Sequence, residues 1–315
     1  MVIAISELTL LDMIIHKIRL FIRLTRPLFL VGGVLFYTLG VSIADYLGVQ
    51  IDWGILLTGQ LWVMMLQLSA QYLNEYFDSP ADAENNNRTF FSGGSGAIGE
   101  GKLSRNTALI AAATTLTVTA SISVILIQQV AISPLLVLIM VVSVLGAIFY
   151  SVPPVRLVTS GYGELTTSIL VAILVPSFAF ILQFGELHRL IAMSTFPLTA
   201  LHLAMMIVFE FPDYATDIKY EKLTLLVRIG WERGITLHNV LVLSAYLLLG
   251  IAMFFGLPAS IALPAFLTIP LVLLEIWQLR RIAAGGKPNW NAFGVSAVVL
   301  VGSMTYLLAY AFWTR

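Results

Sequence analysis

The chain has 315 residues, of which 59% are hydrophobic and 11% are charged, and its mean hydropathy is +0.93. These values exclude an ordinary soluble domain and indicate an all-α, polytopic protein embedded in a lipid bilayer. Its 17 basic and 17 acidic residues give no net charge, and we expect no nucleic-acid partner. Because the chain contains no cysteine, disulfides, thiolate metal sites and cysteine nucleophiles are excluded.

The first 25 residues are apolar but are interrupted by polar side chains. These are Glu7, Asp12, His16, Lys17, Arg19 and Arg23. The pattern predicts an amphipathic helix over residues 1–25 that lies at the membrane interface, rather than a cleaved signal.

We expect residues 26–315 to form a single transmembrane domain, because their apolar runs are long enough for nine membrane-spanning helices. The predicted spans are, in chain order, Pro27–Tyr46, Ile55–Leu73, Ala108–Ile127, Ser133–Val152, Leu165–Phe184, Ser194–Phe211, Ile235–Phe255, Leu257–Trp277 and Ala292–Trp313. The seventh and eighth spans nearly merge around Gly256.

Basic residues are divided very unequally between the two sides of this layout. The side that carries the N-terminal segment holds 15 of the 17, and the other side holds only Arg189 and Arg315. By the positive-inside rule the crowded side is cytoplasmic, which places the N-terminus inside and the C-terminus outside. The two longest polar connections, residues 74–106 and 212–234, both lie on this side. We therefore expect the chemistry near the cytoplasmic mouth of the bundle.

Two acidic clusters with the same internal spacing follow long apolar segments on that side. Asn74, Asp78 and Asp82 form the first, and Asp213 and Asp217 form the second. Residues four apart share one face of a helix, where a divalent cation can reach both. Mg²⁺ is the natural candidate because it binds through a few carboxylates together with substrate phosphate oxygens. The alternative is that these acids simply end two helices in water, but this leaves the repeated spacing unexplained.

A loop rich in glycine and serine, residues 88–101, follows the first cluster and begins with Arg88. Its glycines allow backbone N–H groups to approach an anion closely, although such loops also serve as plain connectors. Lys219 and Lys222 follow the second cluster. These cations provide topogenic charge, and they also suit a phosphate that metal ions bridge to the carboxylates.

The fourth predicted span ends in a further polar segment, Tyr-Ser-Val-Pro-Pro-Val-Arg, which runs from Tyr150 to Arg156. Its structural explanation is a helix stopped by proline, with an interfacial tyrosine and a snorkelling arginine. Alternatively, both side chains reach a diphosphate at the bundle mouth. His202, within the sixth predicted span, is interpreted as a hydrogen-bonded interior histidine rather than a ligand.

Together, these motifs resemble those of the UbiA superfamily of intramembrane prenyltransferases over nearly the whole chain. The resemblance also rests on the Gly-x-Gly-Glu sequence at residues 161–164 and on Arg26-Pro27 at the start of the first span. Asn-Glu-Tyr-Phe-Asp, the residue 88–96 sequence and Phe-Pro-Asp are most like the MenA-type branch, which prenylates 1,4-dihydroxy-2-naphthoate on the way to menaquinone. The chain departs from that branch at Glu221-Lys222-Leu223, where the usual sequence is Gly-Lys-Arg, and at the apolar Phe211 before the second motif.

The resemblance implies a nine-helix bundle around a central cavity and transfer of an isoprenyl chain from a polyprenyl diphosphate to an aromatic acceptor. It implies Mg²⁺, with Mn²⁺ as a substitute, and Asp78 and Asp213 as catalytic residues. The implied metal ligands are Asn74, Asp78, Asp82, Asp213 and Asp217. The implied diphosphate ligands are Arg88, Tyr150, Arg156, Lys219 and Lys222.

Other functions stay open at this stage. The acceptor is 4-hydroxybenzoate, homogentisate, a lipid phosphate or a tetrapyrrole in other parts of the superfamily. A transporter would favour ionisable groups near the bilayer midplane and broken helices in matching halves, whereas most acids here cluster at one face. A purely structural membrane protein would leave the two matched motifs without a role.

Overall fold

The computed structural model describes residues 2–85 and 87–315, with side chains from residue 11 onward. Glu7, which the sequence analysis placed in the amphipathic segment, is therefore outside the described side chains. The described residues form helices and connections, without a β-strand. The helices are α1 (Val2–Leu24), α2 (Pro27–Tyr46), α3 (Trp53–Ala83), α4 (Arg105–Gln129), α5 (Pro134–Ser151), α6 (Gly163–Phe184), α7 (Arg189–Glu210), α8 (Tyr214–Lys219), α9 (Leu225–Ile229), α10 (Trp231–Phe254), α11 (Ala259–Ala283) and α12 (Trp290–Trp313).

Nine of the described helices are long and apolar enough to cross a membrane, which confirms the predicted spans. The main difference is in α3, which continues ten residues beyond the predicted end at Leu73 to Ala83. A prediction from hydropathy places the end of a span where polar residues begin, but the helix itself continues through the first acidic motif. This extension carries the motif on a helix rather than in a loop.

Two helices are locally irregular where proline interrupts the hydrogen-bond pattern. In α6 the segment Leu170–Leu174 widens into a π-type turn just before Pro176, and in α11 the segment Leu263–Thr268 tightens into a 3₁₀ turn that contains Pro264. Proline lacks the amide N–H that a regular helix needs, so the neighbouring turns adjust. Gly256, at a φ of +106°, separates the seventh and eighth spans that nearly merge in the sequence.

The helices pack as a bundle in which α2 lies between α6 and α12, α3 packs against α4 and α5, and α7 packs against α10 and α12. The interior is filled by large apolar side chains, and the Trp62 and Phe178 rings lie 4.6 Å apart. Burial of such aromatic rings, together with close helix contacts, stabilises the bundle.

Helix α1 is continuous and meets the bundle at its C-terminal end. Leu20 and Leu24 are buried there, and the Phe21 ring lies 6.1 Å from Tyr72 of α3. Ile14, earlier in α1, is exposed. The interfacial location of this helix stays a prediction, and its docked end fixes the start of α2 beside the polar loops.

Candidate active site

A cavity of about 370 Å³ lies at the centre of the bundle. Its inner part is lined by apolar side chains, including Phe36, Trp62, Leu66 and Phe178. At its other end the lining is polar and includes the residues predicted as metal ligands, namely Asn74, Asp78, Asp82, Asp213 and Asp217. The two acidic clusters, whose nearest members Asp82 and Asp213 are 131 residues apart in the chain, therefore meet at one end of one cavity.

The first cluster lies on the cavity face of α3. Asn74, Asp78 and Asp82 are four residues apart, so that successive side chains lie above one another on the helix. The Nδ2 group of Asn74 donates to Oδ2 of Asp78 over 3.0 Å. Asp78 is buried with only 4% of its surface exposed, so its charge requires partners.

Those partners come from two other parts of the chain. Nζ of Lys222 lies 3.0 Å from Oδ2 of Asp78 and 3.9 Å from Oδ1 of Asp217. Nη2 of Arg156 lies 3.3 Å from Oδ1 of Asp78. Burial lowers the pKa of the Lys222 amine, but the carboxylates of Asp78, Asp217 and Asp82 outweigh it and hold that pKa well above its ordinary value. Lys222 is therefore a fixed cation between the two acidic clusters.

The second cluster is held by the connection that follows the first. Oδ1 of Asp213 accepts a hydrogen bond from Nδ2 of Asn85 over 2.7 Å, and its Oδ2 accepts one from the Gly93 N–H over 2.9 Å. Burial nevertheless raises the pKa of Asp213. Burial also raises the pKa of Asp217 to about 7, although Lys222 opposes the shift. Burial thus disfavours the charged forms of both carboxyl groups, and a further cation beside them would favour those forms.

The backbone N–H groups of the glycine-rich loop donate hydrogen bonds to the protein's own carboxylates. Oε1 of Glu75 accepts from the Ser95 N–H and Oε2 accepts from the Ser95 hydroxyl, each over 2.6 Å. Gly94 has a φ of +70°, and a Cβ at this position would overlap the Asp82 carboxylate. The glycine is required here because the loop passes directly against the metal-ligand candidates.

Arg88 holds this loop against the end of α3 through two hydrogen bonds to backbone carbonyls. Its Nε donates to the Gly93 carbonyl over 2.6 Å and its Nη2 donates to the Asp82 carbonyl over 2.5 Å. It is not among the residues that line the cavity. Lys219 is also outside the cavity lining, since it is largely exposed and ion-paired with Glu84. The structure thus brings Lys222 and Tyr150 into the acidic end of the cavity lining. Arg156 is outside that lining but contacts Asp78, whereas Arg88 and Lys219 are engaged elsewhere.

Several polar residues of the site were not predicted from the sequence to bind the metal or the diphosphate, and His202 among them is the buried, hydrogen-bonded histidine that was expected. Glu164, Glu210 and His202 line the cavity, and Asn85 holds Asp213. Glu210 lies one helical turn before Asp213, so the helical spacing was a signal for it. Asn85 follows the end of α3 in an irregular connection, where residue spacing carries no geometric information.

The residues present fit a hard divalent cation. All five candidate ligands offer oxygen atoms, which Mg²⁺ prefers, and the buried carboxylates favour a bound cation. Within the described part of the chain, no three Asp, Glu or His side chains are close enough to hold one ion between them. Mg²⁺ commonly binds through one or two carboxylates together with substrate phosphate oxygens, so pairs of carboxylates suffice for such a site.

Solved structures with the same architecture share little sequence with this chain. A digeranylgeranylglyceryl phosphate synthase is 16% identical with a TM-score of 0.59, and the match covers 96% of this chain and 97% of the other. A UbiA homologue from Archaeoglobus fulgidus, bound to GPP and Mg²⁺, is 16% identical with a TM-score of 0.64 over 92% of this chain and 99% of the other. An apo UbiA homologue from Aeropyrum pernix K1 is 11% identical with a TM-score of 0.64 over 87% and 96%. These similarities show a shared fold.

A search of curated protein sequences finds no match. The sequence profile of the UbiA prenyltransferase family matches residues 33–296, which is most of the chain and includes both acidic clusters. The protein therefore belongs to the UbiA prenyltransferase family and is a multi-pass integral membrane enzyme that transfers prenyl groups.

Proposed function

We propose that the protein transfers an isoprenyl chain from a polyprenyl diphosphate to an aromatic acceptor within the membrane. The observation that carries this proposal is the meeting of two distant acidic clusters and Lys222 at the polar end of an otherwise apolar cavity. A diphosphate with metal ions suits the polar end, and a hydrocarbon chain suits the aromatic wall. The donor thus matches the cavity at both of its ends.

Asn74, Asp78, Asp82, Asp213 and Asp217 would hold Mg²⁺, and Mn²⁺ is expected to substitute because it also accepts oxygen ligands. When bound, the metal supplies Lewis-acid stabilisation of the charge that develops on the leaving diphosphate. The similar Archaeoglobus structure that contains GPP and Mg²⁺ supports this assignment. Asp78 and Asp213 are proposed as the principal ligands, one from each cluster.

Lys222 and Arg156 would contact the diphosphate as well. Both already lie against Asp78, so an anion bridged to that carboxylate lies within their reach. Charge-assisted hydrogen bonds to a leaving group strengthen as its negative charge grows. Tyr150, whose ring lies beside Gly163 in the cavity wall, offers a hydroxyl donor. We assign Arg88 to loop support and Lys219 to the surface, because each is engaged elsewhere.

The apolar wall protects the carbon fragment after the C–O bond breaks. Phe36, Trp62 and Phe178 face the cavity, and aromatic rings stabilise an adjacent cation while they exclude water. An electron-rich ring then attacks the allylic carbon and forms the new C–C bond. The motifs favour 1,4-dihydroxy-2-naphthoate as the acceptor, which would place the reaction in menaquinone biosynthesis.

Purified protein given a polyprenyl diphosphate, Mg²⁺ and a panel of aromatic acceptors is expected to release diphosphate and form one prenylated product. Mass spectrometry of that product identifies the acceptor, with 4-hydroxybenzoate and homogentisate as the main competitors. Diphosphate should appear in equal amount to the product. A transporter would release none, and that result would overturn the proposal.

Activity is expected to require a divalent cation, because the diphosphate would otherwise enter a site that already contains the buried carboxylates of Asp78 and Asp217. Addition of excess chelator should abolish turnover, and Mg²⁺ or Mn²⁺ should restore it. Full turnover in chelator would contradict the assignment of the acidic clusters as a metal site.

We also propose that the acidic end of the cavity faces the cytoplasm, with the N-terminus inside and the C-terminus outside. The chain has no cysteine, so single cysteines are specific probes. Glu100→Cys and Leu223→Cys lie on exposed parts of the two polar connections, and Glu186→Cys lies on an exposed connection at the other end. A membrane-impermeant thiol reagent should label the first two only from the cytoplasmic side and Glu186→Cys only from outside. Labelling of Glu100→Cys from outside would reverse this topology.

A further inference from the structure

One polar group in the cavity is not used by the diphosphate chemistry. His202, on α7, is buried with 5% of its surface exposed and lines the cavity below the acidic end. Its Nδ1 lies 3.0 Å from the hydroxyl of Ser168 on α6, and its ring packs edge-on to Phe36 with a centroid distance of 5.9 Å. These two contacts fix the orientation of the imidazole ring.

The hydrogen-bond network assigns the tautomer of this histidine. Oγ of Ser168 donates to the carbonyl oxygen of Glu164 over 2.7 Å, and a serine hydroxyl has only one hydrogen to donate. With the serine hydrogen on the Glu164 carbonyl, we assign the serine oxygen as the acceptor towards His202, which places the imidazole hydrogen on Nδ1. The other nitrogen, Nε2, then carries a free lone pair.

Nε2 has no hydrogen-bond partner among the described residues, yet it is not one of the side-chain nitrogens fully enclosed without a partner. Because His202 lines the cavity, this exposed lone pair faces the cavity interior. A hydrogen-bond acceptor in an apolar wall is costly when it is left unpaired, and it favours a ligand that donates to it.

The depth of His202 matches the place where the acceptor must react. Ser168 lies one helical turn beyond Glu164, which is about 6 Å along α6. Glu164 itself accepts from the backbone N–H of Leu225 in the polar connection, over 3.3 Å. Along its own helix, α7, His202 precedes Glu210 by eight residues, or about 12 Å, so it lies one to two turns below the polar end, at a depth where an acceptor ring can reach both His202 and the allylic carbon of a bound donor.

We propose that Nε2 of His202 accepts a hydrogen bond, and then the proton, from a phenolic hydroxyl on the aromatic acceptor. This assignment rests on the proposed function, which supplies the donor and the reaction. It makes His202 a catalytic residue that selects acceptors with a hydroxyl beside the reacting ring carbon.

Diphosphate leaves with the electron pair of the C–O bond, and a ring carbon of the acceptor forms a bond to the allylic carbon. As the ring loses electron density, the O–H pair becomes part of a C=O bond and the hydroxyl proton moves to Nε2. The ring hydrogen at the new bond is then lost as a proton, Nε2 returns its proton to the oxygen and so restores the phenol, and one proton is released overall.

The test compares a phenolic acceptor with its methyl ether, which cannot donate a hydrogen bond. His202→Phe should lower kcat/KM for the phenol by about 100-fold or more, in the range of general acid–base catalysis. The same change should leave kcat/KM for the ether and the KM for the polyprenyl diphosphate almost unchanged. His202→Gln retains an oxygen acceptor, so it should preserve the acceptor KM while kcat falls.

Ser168→Ala and Thr199→Val complete the set. Loss of the serine hydroxyl removes the hydrogen bond that fixes the tautomer, and it should lower kcat for the phenol less than His202→Phe does. Thr199 is on the same helix as His202 but outside the cavity lining, and its hydroxyl donates to the Thr195 carbonyl over 2.7 Å, so Thr199→Val should behave like the unmodified protein.

Equal losses for phenol and ether in the His202 variants, or no loss, would overturn this inference and leave a packing role only. Absence of any prenylated product with the unmodified protein would instead overturn the proposed function. The two failures are therefore distinguishable in one set of assays.

Discussion

Asp78→Asn and Asp213→Asn are each expected to lower turnover by about two orders of magnitude or more, the range found when one key electrostatic stabiliser is lost. Each change removes one charged oxygen ligand and nearly preserves side-chain shape. Asp78 lies on α3 and Asp213 lies beyond α7, but both line the same end of the cavity. If they act on one diphosphate, the double variant should lose much less than the product of the two single losses, because residues that act as a unit are not additive. Turnover by each purified variant, measured as product and as diphosphate, provides the check.

Folding must be checked separately for these variants, because Asp78 is more buried than a helix end in water. Its carboxylate pairs with Lys222 and Arg156, so Asp78→Asn leaves buried cations short of one partner. Asp45→Asn is the matched control. It makes the same chemical change near the C-terminal end of α2, outside the cavity lining, and should keep full turnover. Normal turnover in a folded Asp78 or Asp213 variant would contradict the two-cluster site.

The hydrophobic spans were predictable because lipid imposes a simple rule on sequence. A helix that crosses a bilayer needs about 20 apolar residues, and the apolar runs match all nine helices in number and closely in position. What the rule does not give is where a helix ends once it leaves the lipid. Backbone hydrogen bonds and local packing decide that, and they extend α3 through Asp78 and Asp82.

The convergence of the acidic clusters was indicated by sequence spacing, but the partners of each carboxylate were not. Lys222 and Lys219 are three residues apart and look equivalent in the sequence. In the structure one is buried between Asp78 and Asp217, and the other pairs with Glu84 at the surface. Helix α8 ends at Lys219, so the irregular backbone that follows decides which lysine turns inward.

The glycine-rich loop shows the same limit of sequence analysis. Its composition indicated backbone donors for an anion, but did not identify which anion. In the structure the Gly93 N–H donates to Asp213 and the Ser95 N–H donates to Glu75. The loop thereby ties the first cluster to the second. Contacts between residues more than 100 positions apart depend on tertiary packing, which no local pattern records.

The two lysines provide the second large expected effect. Lys222 lies within 3.0 Å of Asp78 and 3.9 Å of Asp217, while Lys219 is 65% exposed and contacts only the surface carboxylate of Glu84 among the described acidic side chains. Lys222 can act on the diphosphate directly, or it can only neutralise the carboxylates before a metal ion arrives. These roles differ in how the site responds when the lysine is removed.

Lys222→Met is expected to lower turnover by about 100- to 1,000-fold, as for loss of one preorganised donor to a developing anion. The KM for the polyprenyl diphosphate should also rise, because a charge-assisted contact is lost in the bound state. The Mg²⁺ concentration for half-maximal activity should not rise, since removal of a cation leaves the carboxylates more attractive to metal ions. Lys219→Met is the matched control and should stay within a few-fold of the unmodified protein, because exposed ion pairs contribute little. Full turnover of Lys222→Met at saturating Mg²⁺ would limit Lys222 to neutralising the carboxylates of Asp78 and Asp217 and would exclude it from the diphosphate site.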